Sequence, residues 1–542
     1  MTIINFAGRT LARFFPDQLI MHHIPSKYLL IVAIVALNAC DRNKSSDKKT
    51  LGKKYFISSY GNDENPGTSD RPWQTIAKLN NIDLNGGDTV SFESNKIFEG
   101  TLHLDSTDSG DQGKPLVITS SSDGTAIINA GHFSAMVINS ARYVQVQNLH
   151  LTGSGRKDGN TQSGIVIQGN SHAINVHNLE VDGFQKAGVM VYNASDIIIE
   201  NVHAHDNGGA GITVTGNSSK TDNKNIMIRH CLAENNPGDP TILDNHSGNG
   251  IVVGLCTSVT IEYCAATNNG WDMPRIGNGP VGIWAYEADS VIIQNCISYR
   301  NKTSKGGEDG GGFDLDGGVT NSIIQYCLSF ENEGGGFGIF QYNGASPWRN
   351  NTVRFNISEN DGRVSRAHAG IFVWNGSDDT TQFTDFNCYN NVIYNSDGNA
   401  IYFDEHSARQ NFSYHNNIFV AKDNLIRGHS VNDTFLGNNW WSLTGGFNMN
   451  NQKDFEAWAS QTGHEKQAGI IRGMNIDPGF ENLSMRAITD VQLLSSFAKY
   501  RTSPDSPLRS RGINLKADLG IEVGPFDFNK KAFPPNGIGA SF

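Results

Sequence analysis

Asp314 and Asp316 are separated by one residue, and this spacing carries the clearest chemical signal in the chain of 542 residues. In a β-strand, residues i and i+2 project from the same face, with Cα atoms roughly 6.5–7 Å apart. Two carboxyl groups at about 5–5.5 Å or about 6.5–9.5 Å can cleave a glycosidic bond, one as proton donor and the other as nucleophile or base. Because neighbouring acids disfavour each other's charge, we expect one of the two pKa values to be raised. Glu287 is a third candidate for the acid.

The same acidic group also suits a solvated or calcium-binding patch. Glu308 and Asp309, in the loop before Asp314, would then supply further oxygen ligands. Catalysis by the carboxylates needs no cofactor, whereas the second interpretation places Ca²⁺ at this surface. Both interpretations stay open at the level of sequence.

A repeated pattern must position these acids: a small residue, a hydrophobic, any residue and a second hydrophobic. Successive repeats start 24, 23, 39, 32, 30, 24, 34 and 30 residues apart, and a second hydrophobic segment with a polar turn follows each one. This periodicity predicts a solenoid of stacked coils with strands in register. Since the hydrophobic residues point inward, the residues between and after them point outward. The repeats begin at Gly164, Gly188, Gly211, Gly250, Gly282, Gly312, Gly336, Gly370 and Ala400.

Aligned coil by coil, the outward positions become aromatic and acidic from Gly282 onward. Coils stack about 4.8 Å apart, so Trp284 and Tyr286 should lie one step from Asp314 and Asp316. Aromatic faces beside carboxylates suit sugars, whose C–H faces pack on rings while carboxylates accept hydrogen bonds from hydroxyls. Alternatively, inserted loops cover the aromatics, which then form a second core. The predicted substrate-binding positions on this surface are Trp284, Tyr286, Phe340, Gln341, Trp374, Tyr402 and Asp404.

Long insertions interrupt the turns at 216–225, 235–248, 269–281 and 343–350, and another covers 360–369. In solenoids such insertions form loops over the coils, often on the binding side. Arg366 and His368 in the last insertion are predicted to close one side of the substrate site. They also permit β-elimination, with Lys305 or His368 as base and Arg366 or a metal neutralising a substrate carboxylate.

Cysteines follow the second strand signal of several coils. Cys231, Cys264, Cys296 and Cys327 occupy equivalent positions, and their spacing does not match that of a metal site. This placement predicts a ladder of buried thiols rather than disulfides.

Charge and the N-terminal sequence restrict the partners and the location. With 42 basic and 54 acidic residues, a net charge of −12, the chain lacks the basic stripe of nucleic-acid-binding proteins. An apolar run over 28–37, followed by Asn38-Ala39-Cys40, resembles a bacterial lipobox. Residues 1–40 are therefore predicted to be a signal peptide, with Met21 as an alternative start, and 41–52 a tether. We expect an exported monomer anchored in an outer or cell membrane through a lipid on Cys40, the alternative being a signal cleaved without lipidation.

Over roughly residues 54–540 the chain resembles the right-handed parallel β-helix superfamily of pectate-lyase-like carbohydrate-active proteins. The segment YFISSYGNDENPGTSDRPWQTIAKLNNI and the SPLRSRG tail are typical of its exported bacterial members. The resemblance implies an all-β fold, a single right-handed parallel β-helix solenoid over 53–430 with a short N-terminal capping helix from Pro72 onward. An irregular C-terminal cap over 431–542, with one helix near 453–461, would pack on it.

The superfamily includes lyases, glycosidases, epimerases and phage adhesins, so the resemblance indicates the fold more than the reaction. The signature motifs of pectate lyases, polygalacturonases and alginate epimerases are missing from the sequence. The favoured hypothesis is hydrolysis of a polysaccharide or oligosaccharide by Asp314 and Asp316, with Glu287 in support. A polysaccharide lyase acting on a uronic-acid polymer is the second hypothesis, and a non-catalytic glycan-binding surface protein is the third.

Overall fold

The computed structural model describes residues 52–122, 124–364, 369–377, 379–430, 432–449 and 451–542. The predicted signal peptide with Cys40, nearly all of the tether, and both Arg366 and His368 lie outside the described residues. Within the described ranges, no helix is long and apolar enough to cross a membrane.

Short strands dominate the described chain, and helices are few. The helices are α1 (Ile76–Leu79), α2 (Phe455–Thr462) and α3 (Leu515–Leu519), with 3₁₀ turns at Thr380–Gln382, Val491–Ser496 and Pro507–Arg509. The strands are β1 (Lys54–Ile57), β2 (Thr89–Phe92), β3 (Ile97–Glu99), β4 (Leu102–Leu104), β5 (Leu116–Ser120), β6 (Ala126–Gly131), β7 (Met136–Asn139), β8 (Arg142–Gly153), β9 (Ile165–Gln168), β10 (His172–Asp182), β11 (Ala187–Tyr192), β12 (Ser195–His205), β13 (Ala210–Thr215), β14 (Asn223–Arg229), β15 (Leu232–Glu234), β16 (Asn249–Glu262), β17 (Ala265–Thr267), β18 (Val281–Gln294), β19 (Ile297–Tyr299), β20 (Gly311–Leu315), β21 (Ile323–Gln325), β22 (Leu328–Phe330), β23 (Phe337–Gln341), β24 (Trp348–Arg354), β25 (Ile357–Glu359), β26 (Ala369–Asn375), β27 (Phe383–Tyr389), β28 (Val392–Asn395), β29 (Asn399–Phe403), β30 (Gln410–His415), β31 (Ile418–Ala421), β32 (Ile426–Arg427), β33 (Thr434–Leu436), β34 (Asn439–Ser442), β35 (Lys466–Gln467) and β36 (Ile470–Ile471).

Parallel strands of successive coils pair into three stacks along the solenoid. The first stack follows the glycine-led repeat and comprises β4, β7, β9, β11, β13, the starts of β16 and β18, β20, β23, β26, β29 and β32. The second stack runs from β1, β2 and β5 through the starts of β8, β10 and β12 to β14, the ends of β16 and β18, β21, β24, β27, β30 and β33. The third stack comprises β3, β6, the ends of β8, β10 and β12, β15, β17, β19, β22, β25, β28, β31 and β34. The predicted right-handed parallel β-helix is thereby confirmed.

The register along the first stack is the one that the repeat predicts. Trp284 pairs with Asp314, which in turn pairs with Gly338 on the next coil. The backbone N–H of Asp316 donates to the carbonyl oxygen of Ala285 at 2.8 Å, so the ladder continues past the end of β20. The backbones of Asp314 and Asp316 therefore both pair with β18 in the same parallel ladder.

A ladder of buried amides crosses the turns after the third-stack strands. The backbone N–H and Nδ2 of each member donate to Oδ1 of the next, and Asp361 accepts at the end. Most members lie where a long outward loop begins, so the ladder ties the bases of these loops to the solenoid. Its amides are Asn207, Asn236, Asn269, Asn301 and Asn332.

The predicted ladder of cysteines is confirmed. Cys231, Cys264, Cys296 and Cys327 are buried and unpaired with one another by disulfides. Each thiol lies within hydrogen-bond distance of backbone carbonyl oxygens, which suits a small, weakly polar core residue.

Helices cover both ends of the apolar core. The side chain of Thr75 caps α1 by accepting from the backbone N–H of Lys78 at 3.1 Å, and Ile76 is buried at this end. At the other end, α2 packs Trp458 against Trp440 with ring centroids 5.7 Å apart. Such caps hide the apolar cross-section that a solenoid would otherwise expose.

The predicted end of the solenoid at 430 is too early. β33 and β34 continue the second and third stacks to Ser442, whereas the first stack ends at β32. The glycine-led repeat belongs to the first stack, so its loss does not mark the last coil. Farther along, the C-terminal segment lies on the outer face of the third stack, where Leu494 and Phe497 pack with Phe330 and Ile357.

Candidate active site

The outward face of the first stack forms the floor of a cavity of about 680 Å³. β18, β20, β23 and β26 supply the floor, and loops within the insertions 235–248 and 269–281 supply two walls. The predicted residues that line the cavity are Trp284, Tyr286, Asp314, Asp316, Phe340, Trp374, Glu308 and Asp309. They are joined by Asp244, Asn245, His246, Arg275, Asn278, Gly279, Val281, Tyr342 and Phe372.

Asp314 is the more buried of the paired aspartates, with 3 % of its surface exposed. No described residue makes a hydrogen bond to its Oδ1 atom. Burial raises the pKa of Asp314 well above its ordinary value, and the charges of Asp316 and Asp309 raise it further. This environment favours a carboxyl group that keeps its proton and can donate it.

Asp316 directly follows the last residue of the same strand and lies in a more polar environment. Its Oδ1 accepts a hydrogen bond from the backbone N–H of Gly317 at 2.7 Å. Burial raises the pKa of Asp316 to about 6, the hydrogen bond from Gly317 opposes this rise, and the charge of Glu287 adds to it. Two acids on one strand thus have different proton affinities, which suits one proton donor and one carboxylate.

Aromatic side chains form the apolar part of the cavity. The ring of Trp284 lies 5.4 Å from that of Tyr286, and its Nε1 donates to Oδ1 of Asn249 at 3.0 Å. The ring of Phe340 lies 5.0 Å from that of Phe372 in an edge-to-face contact. Trp284, Phe340 and Phe372 are all at least nine-tenths buried, so only a small part of each ring is exposed at the cavity.

His246 and Arg275 line the cavity but were not singled out by the sequence. Oδ1 of Asn249 accepts from Nε1 of Trp284 and from the backbone N–H of Val281, so the Asn249 amide must turn its Nδ2 toward His246. Nδ2 donates to Nδ1 of His246 at 3.0 Å, which leaves the imidazole proton on Nε2. Burial and the nearby Arg275 lower the pKa of His246 to about 4, so the ring is neutral at physiological pH.

The lengths of two insertions indicated where His246 and Arg275 would lie, although not that these side chains would line the cavity. Residues 235–248 and 269–281 were expected to lie over the binding side, and both contribute to the walls. Their lengths do not specify which side chain of a loop points inward, because an irregular loop has no periodicity.

Glu287, predicted as a supporting catalytic acid, does not line the cavity. Its backbone is left-handed, with φ of 41°, and its Oε1 accepts from the backbone N–H of Ser346 at 2.7 Å. Gln341 contacts the same loop, since its Nε2 donates to the carbonyl oxygen of Ser346 at 3.0 Å. The structure therefore places both side chains where they hold loop 342–346 beside the cavity.

Tyr402 and Asp404 also lie outside the cavity lining. The Tyr402 hydroxyl donates to Oδ2 of Asp404 at 2.9 Å, and the Tyr402 ring stacks on Phe372 at 5.1 Å. They support the aromatic wall from behind, because Phe372 stands between Tyr402 and the cavity.

The predicted Ca²⁺ ligands Glu308 and Asp309 do lie in the cavity wall. Oδ2 of Asp309 accepts from the backbone N–H of Gly279 at 2.8 Å. Among the described residues, the groups of three His, Cys, Asp or Glu ligand atoms that converge within 4.8 Å lie on the third stack, away from this cavity. Ca²⁺ binding at Glu308 and Asp309 stays a prediction.

Comparison with known proteins identifies similar β-helices. The family model described as "Pel9A-like, right handed beta helix region" matches residues 55–368. A solved structure of a GH136 lacto-N-biosidase from Eubacterium ramulus is similar at 17% identity and a TM-score of 0.48, covering 69% of this chain and 68% of that one. Pectate lyase Pel9A is similar at 15% identity and a TM-score of 0.41, covering 90% and 97%. A rhamnogalacturonan lyase is similar at 17% identity and a TM-score of 0.37, covering 71% and 87%. No curated protein sequence matches the chain. At these identities the structural likenesses concern the fold alone.

Proposed function

Because the chain belongs to the Pel9A-like right-handed β-helix family, we propose that it is a carbohydrate-active enzyme that hydrolyses a glycosidic bond of a polysaccharide or oligosaccharide. The observation that carries the proposal is the contrast between Asp314 and Asp316 in one cavity. The first is buried without a hydrogen bond to Oδ1, and the second is held by the N–H of Gly317. The pair thus combines a protonated acid with a carboxylate, as glycoside hydrolysis requires.

In the proposed reaction, Asp314 donates its proton to the glycosidic oxygen as the bond from that oxygen to the anomeric carbon breaks. Asp316 either attacks the anomeric carbon or removes a proton from a water molecule that attacks it. In both cases the water oxygen and one of its protons end on the anomeric carbon as a hydroxyl group, and the other proton returns to the carboxyl pair, so that Asp314 is protonated and Asp316 ionised again. Aspartates at i and i+2, with Cα atoms roughly 6.5–7 Å apart, permit either route through their rotamers.

The remaining side chains would orient the sugar. The rings of Trp284, Phe340 and Trp374 line the cavity and supply apolar surface on which the C–H faces of a sugar ring can pack. The Nε2–H group of His246 is a hydrogen-bond donor for a sugar hydroxyl, since its other nitrogen is occupied by Asn249. The volume of about 680 Å³ is of the size of ordinary small-ligand sites.

We place hydrolysis ahead of elimination because the lysine, histidine and tyrosine of the described residues near the cavity are poorly suited to abstract a proton from carbon. Lys305 is exposed and does not line the cavity. The proton on Nε2 prevents His246 from accepting one there, and burial together with the charge of Glu287 raises the pKa of Tyr342. A phenol that holds its proton more tightly is a poorer source of a phenolate base.

Arg275 supports the second candidate, a polysaccharide lyase. Its guanidinium lines the same cavity and could neutralise the carboxylate of a uronic acid. In that case His368, which lies outside the described residues, would be the base. The two candidates share the site and differ in the product.

Export and lipid anchoring remain part of the proposal. The lipobox-like sequence ending at Cys40 supports a lipoprotein in the cell envelope. Labelling of the intact chain with a fatty-acid analogue in the producing bacterium should be lost in Cys40→Ser. Equal labelling of both forms would contradict lipidation at this residue.

The decisive test is incubation of the protein with a panel of plant and algal polysaccharides. New reducing ends without absorbance from an unsaturated uronide indicate hydrolysis, whereas that absorbance indicates a lyase. Bound glycan without any product would support the hypothesis of a non-catalytic glycan-binding surface protein.

Asp314→Asn and Asp316→Asn should each reduce turnover by about 10³-fold or more. Asp385→Asn, on the exposed surface of β27, is the matched control and should retain activity. Full activity of both active-site variants would refute the assignment of the pair.

A further inference from the structure

A cluster of histidines and carboxylates lies on the outward face of the third stack, whereas the cavity lies on the first stack. In the parallel register, Glu180 of β10 stands between His150 of β8 and His203 of β12. Asp182, two residues farther along β10, pairs with His205 of β12. Glu234 of β15 pairs with His205 from the other side. The cluster therefore spans four successive coils.

The ligand atoms of Glu180, His203 and His205 all lie within 4.8 Å of one another. Nε2 of His205 is 3.3 Å from Oε1 of Glu180, and Nε2 of His203 is 2.8 Å from Oε1 of Glu234. The two imidazole rings lie side by side, with centroids 4.3 Å apart. Donor atoms bound tetrahedrally to one Zn²⁺ at about 2.0–2.1 Å are about 3.4 Å apart, so the observed spacing needs only small rotations.

Asp206 prepares His205 for a ligand. Its Oδ2 lies 2.7 Å from Nδ1 of His205, so that nitrogen carries the proton and the lone pair is on Nε2, the atom that faces Glu180. A carboxylate that orients the distal nitrogen is the usual partner of a metal-bound histidine. Asp206 is not one of the three ligands, yet its contact with Nδ1 directs Nε2 of His205 toward Glu180, where the other ligand atoms converge.

We propose that Glu180, His203 and His205 bind one divalent transition-metal ion of the zinc class. Imidazole nitrogens select such ions over Ca²⁺ and Mg²⁺, which prefer oxygen ligands alone. The ion would link β10 and β12, two consecutive coils of the third stack. Because the unfolded chain lacks this arrangement, binding stabilises the folded solenoid.

A second convergent group, His150 with Glu180 and Asp182, shares Glu180 with the first. His150 contacts Asp182, whose Oδ1 also accepts from the hydroxyl of Thr152 at 2.9 Å. Since the Asp182 carboxylate already contacts both His150 and Thr152, we assign the ion to the group that has two histidines, Glu180 with His203 and His205.

Calorimetric titration of the chelator-treated full chain with Zn²⁺ at pH 7.5 tests the proposal. We expect one equivalent bound with Kd below about 1 μM and an increased Tm, with weaker binding at pH 5.5 because protons compete for the imidazoles. The variant His203→Ala/His205→Ala should weaken binding at least 100-fold. Glu180→Gln, which keeps the shape of the side chain, should also weaken it and serves if the double variant unfolds.

Two controls make the ligand assignment falsifiable. His177→Ala removes a histidine of β10 that is not a proposed ligand and whose Nε2 contacts Gln145, and this variant should bind Zn²⁺ like the unmodified chain. His150→Ala should likewise retain one equivalent. Binding that is absent in the unmodified chain, unchanged in the double variant and Glu180→Gln, or equally tight for Ca²⁺ would overturn the proposal. Loss in His150→Ala with retention in the double variant would overturn the chosen ligand set.

Discussion

Gly338 lies directly beside Asp314 in the parallel register, and the ring of Phe340 occupies the space that a side chain at Gly338 would fill. A Cβ atom at position 338 would lie 2.7 Å from Cε2 of Phe340 and 3.1 Å from Cγ of Asp314. The missing side chain therefore lets an aromatic ring cover the acid and withdraw it from water. Because burial raises the pKa of Asp314, the absence of a side chain at position 338 contributes to the proton affinity of this acid.

Gly338→Ala should reduce kcat/KM by about 10- to 100-fold, because the added methyl group must displace Phe340 or the carboxyl group of Asp314. Activity against the cleaved polysaccharide and Tm are the measurements, and Tm should change little. In an Asp314→Asn background the same substitution should have almost no further effect on kcat/KM. Equal effects in both backgrounds would show that Gly338 does not act through Asp314.

The pH dependence of kcat/KM should be bell-shaped. Activity rises as pH increases through about 6, where Asp316 becomes a carboxylate, and falls at higher pH, where Asp314 loses its proton. The two apparent pKa values belong to the interacting pair rather than to either residue alone. Residual activity of Asp316→Asn should lack the acidic limb. A rate that keeps rising up to pH 9 would contradict Asp314 as the proton donor.

Asp314→Asn should stabilise the fold increasingly as pH rises. Burial raises the pKa of Asp314 in the folded state above that in the unfolded state, which is near 4. Between these two values the folded state binds more protons, so the wild-type chain loses stability as pH increases. The Tm of the variant minus that of the wild type should therefore grow by a few degrees from pH 4 to pH 8. Asp385→Asn is the exposed reference, and a difference that shrinks over this range would disprove the expected sign.

His246→Ala should raise KM or lower kcat/KM by about tenfold, the effect of losing one hydrogen bond to the substrate. Since the pKa of His246 is lowered to about 4, the imidazole stays neutral and the pH profile from 5 to 8 should keep its shape. Steady-state kinetics from pH 5 to 8 distinguish the loss of a hydrogen bond to the substrate, which is the same at every pH, from titration of the imidazole, which would change the pH profile. A shift of the acidic limb in His246→Ala would mean that the imidazole titrates there.

The repeat predicted the register because parallel coils convert a local period into a spatial one. Phe340 and Trp374 are 34 residues apart in sequence, yet they pair directly on adjacent coils as the alignment of repeats requires. The same alignment placed Trp284 beside Asp314. Inward and outward positions alternate on a strand, so the sequence also separated core residues from surface residues.

The alignment did not predict which outward side chains reach the cavity. Glu287 holds an outward position, but its left-handed backbone turns the carboxylate toward Ser346. Tyr402 is in register with Phe372 and is nonetheless separated from the cavity by that ring. Register specifies the strand position alone, while turn conformation and neighbouring rings decide where the side chain ends.

By itself, the sequence determined the solenoid, its register and the strand on which Asp314 and Asp316 lie, because all three follow from short periodic patterns. Only the tertiary structure showed that His246 and Arg275 line the same cavity as those aspartates. It also brought His203 and His205 together with Glu180 on another face. The physical reason is that these groupings depend on contacts between coils and on the paths of irregular loops, which no local period encodes.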